Sequence, residues 1–477
     1  MFKLFLIFCT SIAIAEKSII KFPNSVSPQN KKQRAVVDAF QHAWDGYKKY
    51  AWGNDELRPE SKKGSDNFQI GLTILDSLDT AIIMGLEQAV SEGIDWIENS
   101  LNFDKHVDVN VFETTIRAIG GLLSAYHLTG NPALLKHAID LGDRVLSAYG
   151  NQSMIPTTDV NLLTREGISK NGERVSLAEI STLQLEFREL TRLTGDRKYE
   201  DRTFATSKLI HSLGCGLYKG LCPFYLNIHT NSFIDTTITM GARADSYYEY
   251  LIKQWIQTGK TIPWLKDDFL RTMLSMEEFL IRKTAKKGYL IVGEILRNEY
   301  DAKMDHLACY VSGSLVLSYL NKLNDSHLEL AERIGETCHQ MYLTPSGLGP
   351  EIVKGNLNDP KKDDFFITRQ DAHSILRPEA IEAWFYLYRA TGNKKYQDWG
   401  WSVFRAIEKH AKVKTGGYSS VKNVLEKKPR KRDHMETFFL AETLKYLYLL
   451  LADDQSILPL DKWVFNTEAH PLPVHNY

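Results

Sequence analysis

The sequence has almost no net charge: 58 Lys and Arg stand against 59 Asp and Glu in 477 residues, leaving −1. That balance excludes the global basic field with which a chain binds nucleic acid or an anionic membrane. Long apolar runs are missing too. The longest, Leu4 to Ala15, is 12 residues, against roughly 20 for a bilayer crossing. Cysteine is scarce, with five residues, none in C-x2-C spacing. Without that spacing or an H-E-x-x-H, an ordinary zinc site has little support. No G-x-S-x-G elbow or P-loop occurs, and GCGLYKG at 214–220 lacks the dinucleotide-binding spacing and follows no clear strand.

What remains has the composition of a globular protein, 43% apolar and 25% charged. MFKLFLIFCTSIAIAEKS carries an early Lys, an apolar run, and Ala13 and Ala15 before Glu16. That is the layout of a cleavable secretory signal over 1–15, with 16–30 as a lead-in. A signal-anchor is the alternative, and membrane association is expected only if the segment stays uncleaved. Cys9 leaves with the signal; Cys215, Cys222, Cys309 and Cys338 remain for an oxidising compartment. Four cysteines allow three pairings, and spacing does not choose among them. The sequons at Asn151 and Asn324 fit a secreted chain. In such a chain EKKPRKR, 426–432, reads as a solvated loop rather than a nuclear signal.

A repeat runs through the turns. AYHLTGN, LTRLTGD, QWIQTGK and LYRATGN place Thr at 129, 194, 258 and 391, spaced 65, 64 and 133. Asn324 falls where the missing turn belongs, and one more step reaches Asp453. Gly after an apolar helix ends it, and Asn or Asp caps the next. Six such tags, plus an N-terminal helical pair from Lys31 through Ile97, predict about seven hairpins. Strand signals are sparse, with GYLIVGEIL at 288–296 and the tail around Val464 the best. A chain of α-hairpins closes most economically as an α/α barrel, here one domain over 31–477.

Carboxylates keep the same period. Glu113, Glu179 and Asp245 are 66 residues apart, and His306, Glu379, Glu436 and Glu442 follow. Equivalent turns of equivalent helices converge on one mouth of a barrel. One acid near a helix start is ordinarily a cap or a dipole partner; several in register among apolar neighbours are not. A ring of acids raises some pKa values by repulsion while Arg243 and Arg377 hold others down, a layout for acid–base work on a neutral polar substrate. Glycoside hydrolysis fits best. Tyr247, Tyr248, Trp384, Phe385, Phe438 and Phe439 read individually as core, with one or two left over for stacking on a sugar. Small residues Ala118, Gly120 and Gly121 predict close helix packing behind the site.

GLTILDSLDTAIIMGL, VFETTIRAIGGLLSAY, SLAEISTLQLEFRELTRLTGD, GARADSYYEYLIKQW, MDHLACY, LRPEAIEAWFYLYRATGN, METFFLAETLKYLYLL and FNTEAHPLPV occur in this order between Val36 and Pro473. Together they resemble the class I α-1,2-mannosidases, glycoside hydrolase family 47. The resemblance implies an all-α (α/α)7 barrel with minor β-hairpins and an inverting, Ca²⁺-dependent hydrolase. It would remove terminal α-1,2-mannose from high-mannose N-glycans in the secretory pathway, in the endoplasmic reticulum lumen or early Golgi, with secretion open, as a monomer. It also implies catalytic roles for Glu113, Asp245 and Glu379. Glu379 would be the base, with the acid contested between Glu113 and Asp245. Thr467 would hold the ion. Glu179, His306, Arg377, Glu382, Phe438, Glu442 and Glu468 would line the sugar subsite or hold metal waters, and Cys309 would pair with Cys338. Arg243 matches the endoplasmic-reticulum subgroup and favours trimming of one mannose, Man9 to the Man8B isomer. The cleavable N-terminus departs from that subgroup's usual membrane anchor. The state of Cys215 and Cys222 stays open. A glycan-binding quality-control lectin of the same fold is the alternative, and another α/α-barrel glycosidase, such as a glucosidase, a third reading.

Overall fold

The computed structural model describes residues 27–150 and 153–475, so the signal-like segment and the sequon at Asn151 lie outside the described residues. Within them, helices sort into two kinds by how much of their surface is apolar. Leu72–Ile83 buries every residue but Ile82, Asp and Thr included, and Asp245–Gln257 buries every residue but Asp245. Pro132–Leu146 instead buries one stripe, with Leu134, Leu135, Ala138, Leu141 and Val145 on it. Helices buried all round belong inside a layered fold, and single-striped ones outside.

Seven inner segments follow: 72–83, 111–129, 177–194, 245–257, 310–320, 379–391 and 439–450. Each packs on the next, and the last returns to the first, closing a ring. Seven outer helices cover it: 31–50, 87–99, 132–146, 198–213, 263–280, 326–340 and 395–410. The fold is an (α/α)7 barrel with minor strands, as expected. One pairing differs from the expectation. Lys31–Tyr50 does not form a hairpin with the helices that follow it; it packs on Leu444–Leu450, while Leu72–Ile83 pairs with Glu87–Asn99. Accordingly the tag near Asp453 ends an inner helix but opens no new one, because the first helix of the chain fills that place. The apolar face of Lys31–Tyr50, with Val36, Phe40, Trp44 and Tyr47 buried, packs chiefly on that last inner helix.

The turns follow one template. Gly130, Gly195 and Gly392 end their helices in the left-handed region, at φ 75°, 76° and 65°. In each, the preceding Thr hydroxyl donates to the carbonyl four residues back at 2.7 Å. It then accepts the amide two residues on, at 3.1–3.2 Å. The T-G-N/D tag is thus a self-contained helix stop and start.

Strands are more numerous than the two expected: seven small antiparallel sheets decorate the described residues. Each has two or three strands, too short for periodicity to reveal. One hairpin, Trp463–Phe465 with Pro471–Pro473, packs on the inner helices Asp245–Gln257 and Gly120–Thr129 and is wholly buried. It plugs the ring. Cys309 is bonded to Cys338, tying an inner helix to its outer partner, and Cys215 to Cys222. The segment 426–432 is a largely exposed loop.

Gly120 and Gly121 let these layers meet. A Cβ on Gly120 would lie 2.7 Å from Asn466 Nδ2 of the plug, and one on Gly121 would collide with the Leu75 carbonyl of the neighbouring inner helix. Gly121→Ala must displace backbone, so it is expected to cost about 1–3 kcal/mol, read as a lowered midpoint of thermal unfolding. An unchanged midpoint would refute the close approach.

Candidate active site

The inner segments that start with an acid start it at the same level. Glu113 lies in the first turn after Asn110, whose Oδ1 accepts its backbone N–H at 2.9 Å. Glu179 holds the same place after Ser176, and Asp245 and Glu379 are the first residues of their helices. Asn and Ser at these N-caps fix the helix starts, so the carboxylates reach one mouth of the ring. There they line a cavity of about 430 Å³ together with Arg243, Arg377, Glu382, Phe438, Glu442, Thr467 and Glu468. Thr467 and Glu468 come from the tip of the plug, which forms the floor. Arg117 and Glu442 both sit on wider π-type turns, 114–119 and 439–443, a geometry that re-aims side chains and recurs at functional sites.

Two predicted residues fall elsewhere. His306 stands behind the wall, its Nδ1 2.6 Å from Glu379 Oε2. Glu436 is not in the cavity lining: it lies 3.1 Å from His434, whose other ring nitrogen meets Glu56 at 2.8 Å. Hydrogen bonds to both glutamates raise His434 to about 10. Against burial, His434 with the Arg117 and Arg377 charges holds Glu436 below its ordinary value, so Glu436 is an ion-paired group beside the arginines of the mouth and not a lining carboxylate.

Sequence reasoning missed Arg117, which binds the mouth together. Its Nε donates to Glu113 Oε2 at 2.7 Å, and its Nη1 to Glu468 Oε1 at 2.6 Å and Thr437 Oγ1 at 3.0 Å. Its position four residues after Glu113 was the available signal. Glu249 and Lys253 were missed as well; with Asp245 they recur every fourth residue along one helix face. Buried Lys253 pairs with Glu249 and lies 3.8 Å from Glu382. Phe438 has Arg117 and Arg377 at 5.6 and 5.9 Å from its ring centre, leaving a braced aromatic wall.

The environments push the carboxyls apart. Burial, reinforced by the charges of Glu249 and Glu379, raises Asp245 to about 7. Burial would also raise Glu379, but the hydrogen bond from His306 and the Arg377 charge outweigh it and hold Glu379 below its ordinary value. At neutral pH one cavity therefore holds a carboxyl that keeps part of its protons beside an ionised carboxylate. Deeper in, burial raises Glu382 and Glu468 to about 8 each, and burial with three neighbouring glutamates takes Glu442 well above its ordinary value. Beside the Thr467 hydroxyl these groups are short of positive charge. Their donors are all oxygen, which fits a hard divalent cation and not zinc.

Beneath the floor a second network anchors the plug. His470 donates to Asp79 at 2.9 Å and Asp76 at 3.0 Å, and Lys445 to Asp79 at 2.8 Å and the Ala469 carbonyl at 2.7 Å. Asn466 Oδ1 accepts the Glu468 and His470 amides at 2.9 and 2.8 Å. Its Nδ2 reaches Glu186 at 2.8 Å.

A closed ring of seven helical pairs, plugged at one end and lined with carboxylates at the other, is an (α/α)7 barrel with an acidic pocket. The chain belongs to glycosyl hydrolase family 47, whose profile matches residues 39–474. It is 47% identical over 452 residues to the endoplasmic reticulum mannosyl-oligosaccharide 1,2-alpha-mannosidase of Homo sapiens, covering 93% of this chain and 64% of that protein. Against the Rattus norvegicus protein of the same description it is 47% identical over 456 residues, 94% of this chain and 69% of that one. The alpha-1,2-mannosidase from Trichoderma reesei superposes with a TM-score of 0.87 at 28% identity, covering 94% of this chain and all of that one.

The anchor under the floor has a pH signature. Burial disfavours charge on His470, yet Asp79 and Asp76 raise it to about 9. That contribution is complete below the unfolded value of 6.5 and lost as pH climbs towards 9. Burial disfavours charge on Asp79 as well, but Lys445 and His470 lower it to about 2, so its share is complete above 3.8 and lost as pH falls. Urea unfolding is expected to show stability declining from pH 6.5 to 9 in the wild type, with a shallower decline in His470→Gln. Equal slopes would refute the coupling.

Proposed function

We propose that the chain hydrolyses terminal α-1,2-linked mannose from high-mannose N-glycans, by inversion and with Ca²⁺, trimming Man9GlcNAc2 to the Man8B isomer. The observation that carries this reading is the opposed displacement of Asp245 and Glu379 in one cavity, which assigns an acid and a base. The descriptions of the relatives and the family membership supply the substrate class. Residues 31–477 would act as one monomeric catalytic domain.

Each group then has a task. Glu379 has Oε2 taken by His306, and Arg377 lies 3.7 Å from Oε1, so Oε1 is the oxygen open to a water. Glu379 takes that water's proton as the water oxygen bonds to the anomeric carbon. The glycosidic bond breaks with its electron pair going to the leaving oxygen, which Asp245 protonates. Glu113, held by Arg117 at the rim, is the other candidate for acid. Arg243 would bind glycan hydroxyls and Phe438 would stack on a sugar face. Thr467 would hold Ca²⁺ through its hydroxyl and carbonyl oxygens, with Glu382, Glu442 and Glu468 ordering the waters around it. When bound, the ion supplies a fixed positive charge that offsets these carboxylates and orients sugar hydroxyls. The secretory-type N-terminus and the relatives point to the endoplasmic reticulum lumen. No helix among the described residues is long and apolar enough to cross a membrane.

Purified protein with Ca²⁺ is expected to release free mannose from Man9GlcNAc2, and EDTA to abolish release. Glu379→Gln should lose on the order of 10²-fold or more in kcat, with Man9 binding retained. Man9 bound by the wild type without release would instead favour a lectin. Asp245→Asn and Glu113→Gln separate the acids. Whichever recovers activity on an aryl mannoside, whose leaving group needs no protonation, has lost the proton donor.

A further inference from the structure

The base does not stand on His306 alone. His306 Nε2 lies 2.8 Å from the Tyr342 hydroxyl, which ends a chain running Glu379–His306–Tyr342. All three residues are at least nine-tenths buried, with Glu379 9%, His306 2% and Tyr342 8% exposed. Tyr342 follows the outer helix Ser326–Gln340, and His306 precedes the inner helix Tyr310–Leu320. The Cys309–Cys338 bond joins these segments, three residues from His306 and four from Tyr342. The Tyr342 ring packs 5.7 Å from Trp384, on the helix that starts with Glu379, and 5.7 Å from the His306 ring. A Cβ on Gly349 would come within 2.9 Å of that ring, so even the facing backbone is shaped to it. The His306 amide donates to the Glu351 carbonyl at 2.8 Å, fixing the backbone beneath.

Hydrogen balance then decides the ring. Burial raises the Tyr342 phenol well above its ordinary value, and the charges of Glu379 and Glu351 add to this, so the phenol keeps its proton. Among the described residues no acceptor but His306 Nε2 is bonded to it. A protonated imidazole would leave that buried hydroxyl hydrogen without an acceptor, at a cost of roughly 1–3 kcal/mol. With Tyr342 donating, Nε2 is the bare nitrogen and Nδ1 carries the hydrogen, which is given to Glu379.

We infer that Tyr342 is a positioning residue for the base: it donates to His306 Nε2, holds the imidazole in its neutral Nδ1–H form, and thereby ties up Glu379 Oε2 so that water's proton is taken at Oε1. This deepens the proposed hydrolytic reading and rests on it for its catalytic consequence. Nothing in the periodicity that exposes the carboxylates marks Tyr342, since it lies on the outer layer, outside the ring. The other groups acting on Glu379 are Arg377, on the loop before it, and the carboxyls of Asp245, Glu382 and Glu442 across the cavity. None of them touches Nε2, so Tyr342→Phe changes the histidine without altering these charges.

The test reads the ring directly. In ¹⁵N-labelled wild type at pH 7, with the His306 signals identified by their loss in His306→Asn, Nδ1 is expected at the protonated shift and Nε2 at the bare one. An imidazolium, or the hydrogen on Nε2, would overturn the inference even if no variant folds. In Tyr342→Phe that pattern should be lost, with kcat reduced about tenfold or more, part of the general-base contribution, and KM for Man9GlcNAc2 changed little. Adding Tyr342→Phe to His306→Asn should cost nothing further; an additional loss would mean Tyr342 acts by another route. If the wild type itself releases no mannose, the hydrolytic reading falls, while the nitrogen shifts still decide the positioning of Glu379.

Discussion

The barrel's chemistry depends on keeping a plug of polar chain inside an apolar ring. A hairpin tip carrying Asn466, Glu468 and His470 is costly to bury unless each group finds a partner. Those partners are supplied by the inner helices: Asp76 and Asp79 from the first, Lys445 from the last, Glu186 from the third. The floor of the pocket is thus fixed from several directions at once. Thr467 owes its position to these buried charges beneath it, and Glu468 to them and to Arg117. Each of these partners rigidifies the tip; with one missing the network would become a liability.

Above the floor the logic reverses. Glu382, Glu442 and Glu468 have too little positive charge around them, and Asp245 has none in contact. Stability alone would not arrange carboxyls in this way, since each is displaced from its preferred protonation. The ring therefore contains two electrostatic layers, a balanced one that holds the fold and an unbalanced one open to a ligand. Arg117 bridges them, touching Glu113 at the rim, Glu468 at the floor and approaching Asp76 below at 3.7 Å.

The helical repeat and the level of the carboxylates were legible because both recur at a fixed period. The T-G-N/D tag is a local hydrogen-bonded unit, so it reads without tertiary information. Glu113, Glu179 and Asp245 follow because they hang from equivalent helix starts. Glu436 is the counterexample: it stands 57 residues after Glu379, short of the 66-residue period, and precedes its helix, pairing with His434. Arg117 and Lys253 stand one and two helical turns beyond a carboxylate of the ring, on the same helix face, and the long period does not mark them. The plug was visible only as a strand signal near Val464, because what it plugs is set by contacts more than 200 residues away, as with Lys253 and Asn466. The pairing of Lys31–Tyr50 with the last inner helix was illegible for the same reason, since neither helix is a sequence neighbour of the other.

That pairing has a consequence for how the protein is made. The helix at 31–50 leaves the ribosome well before its partner at 444–450. At about 5–20 residues per second, some 400 residues take roughly 20–80 s to synthesise. Throughout that interval the face of 31–50 that packs on 444–450 waits for its partner, and the growing ring presents an open seam at each end. A nascent chain of this architecture is a natural client for holding factors until translation finishes. A ribosome that stops before residue 444 leaves a product that cannot close, however well its completed hairpins have folded.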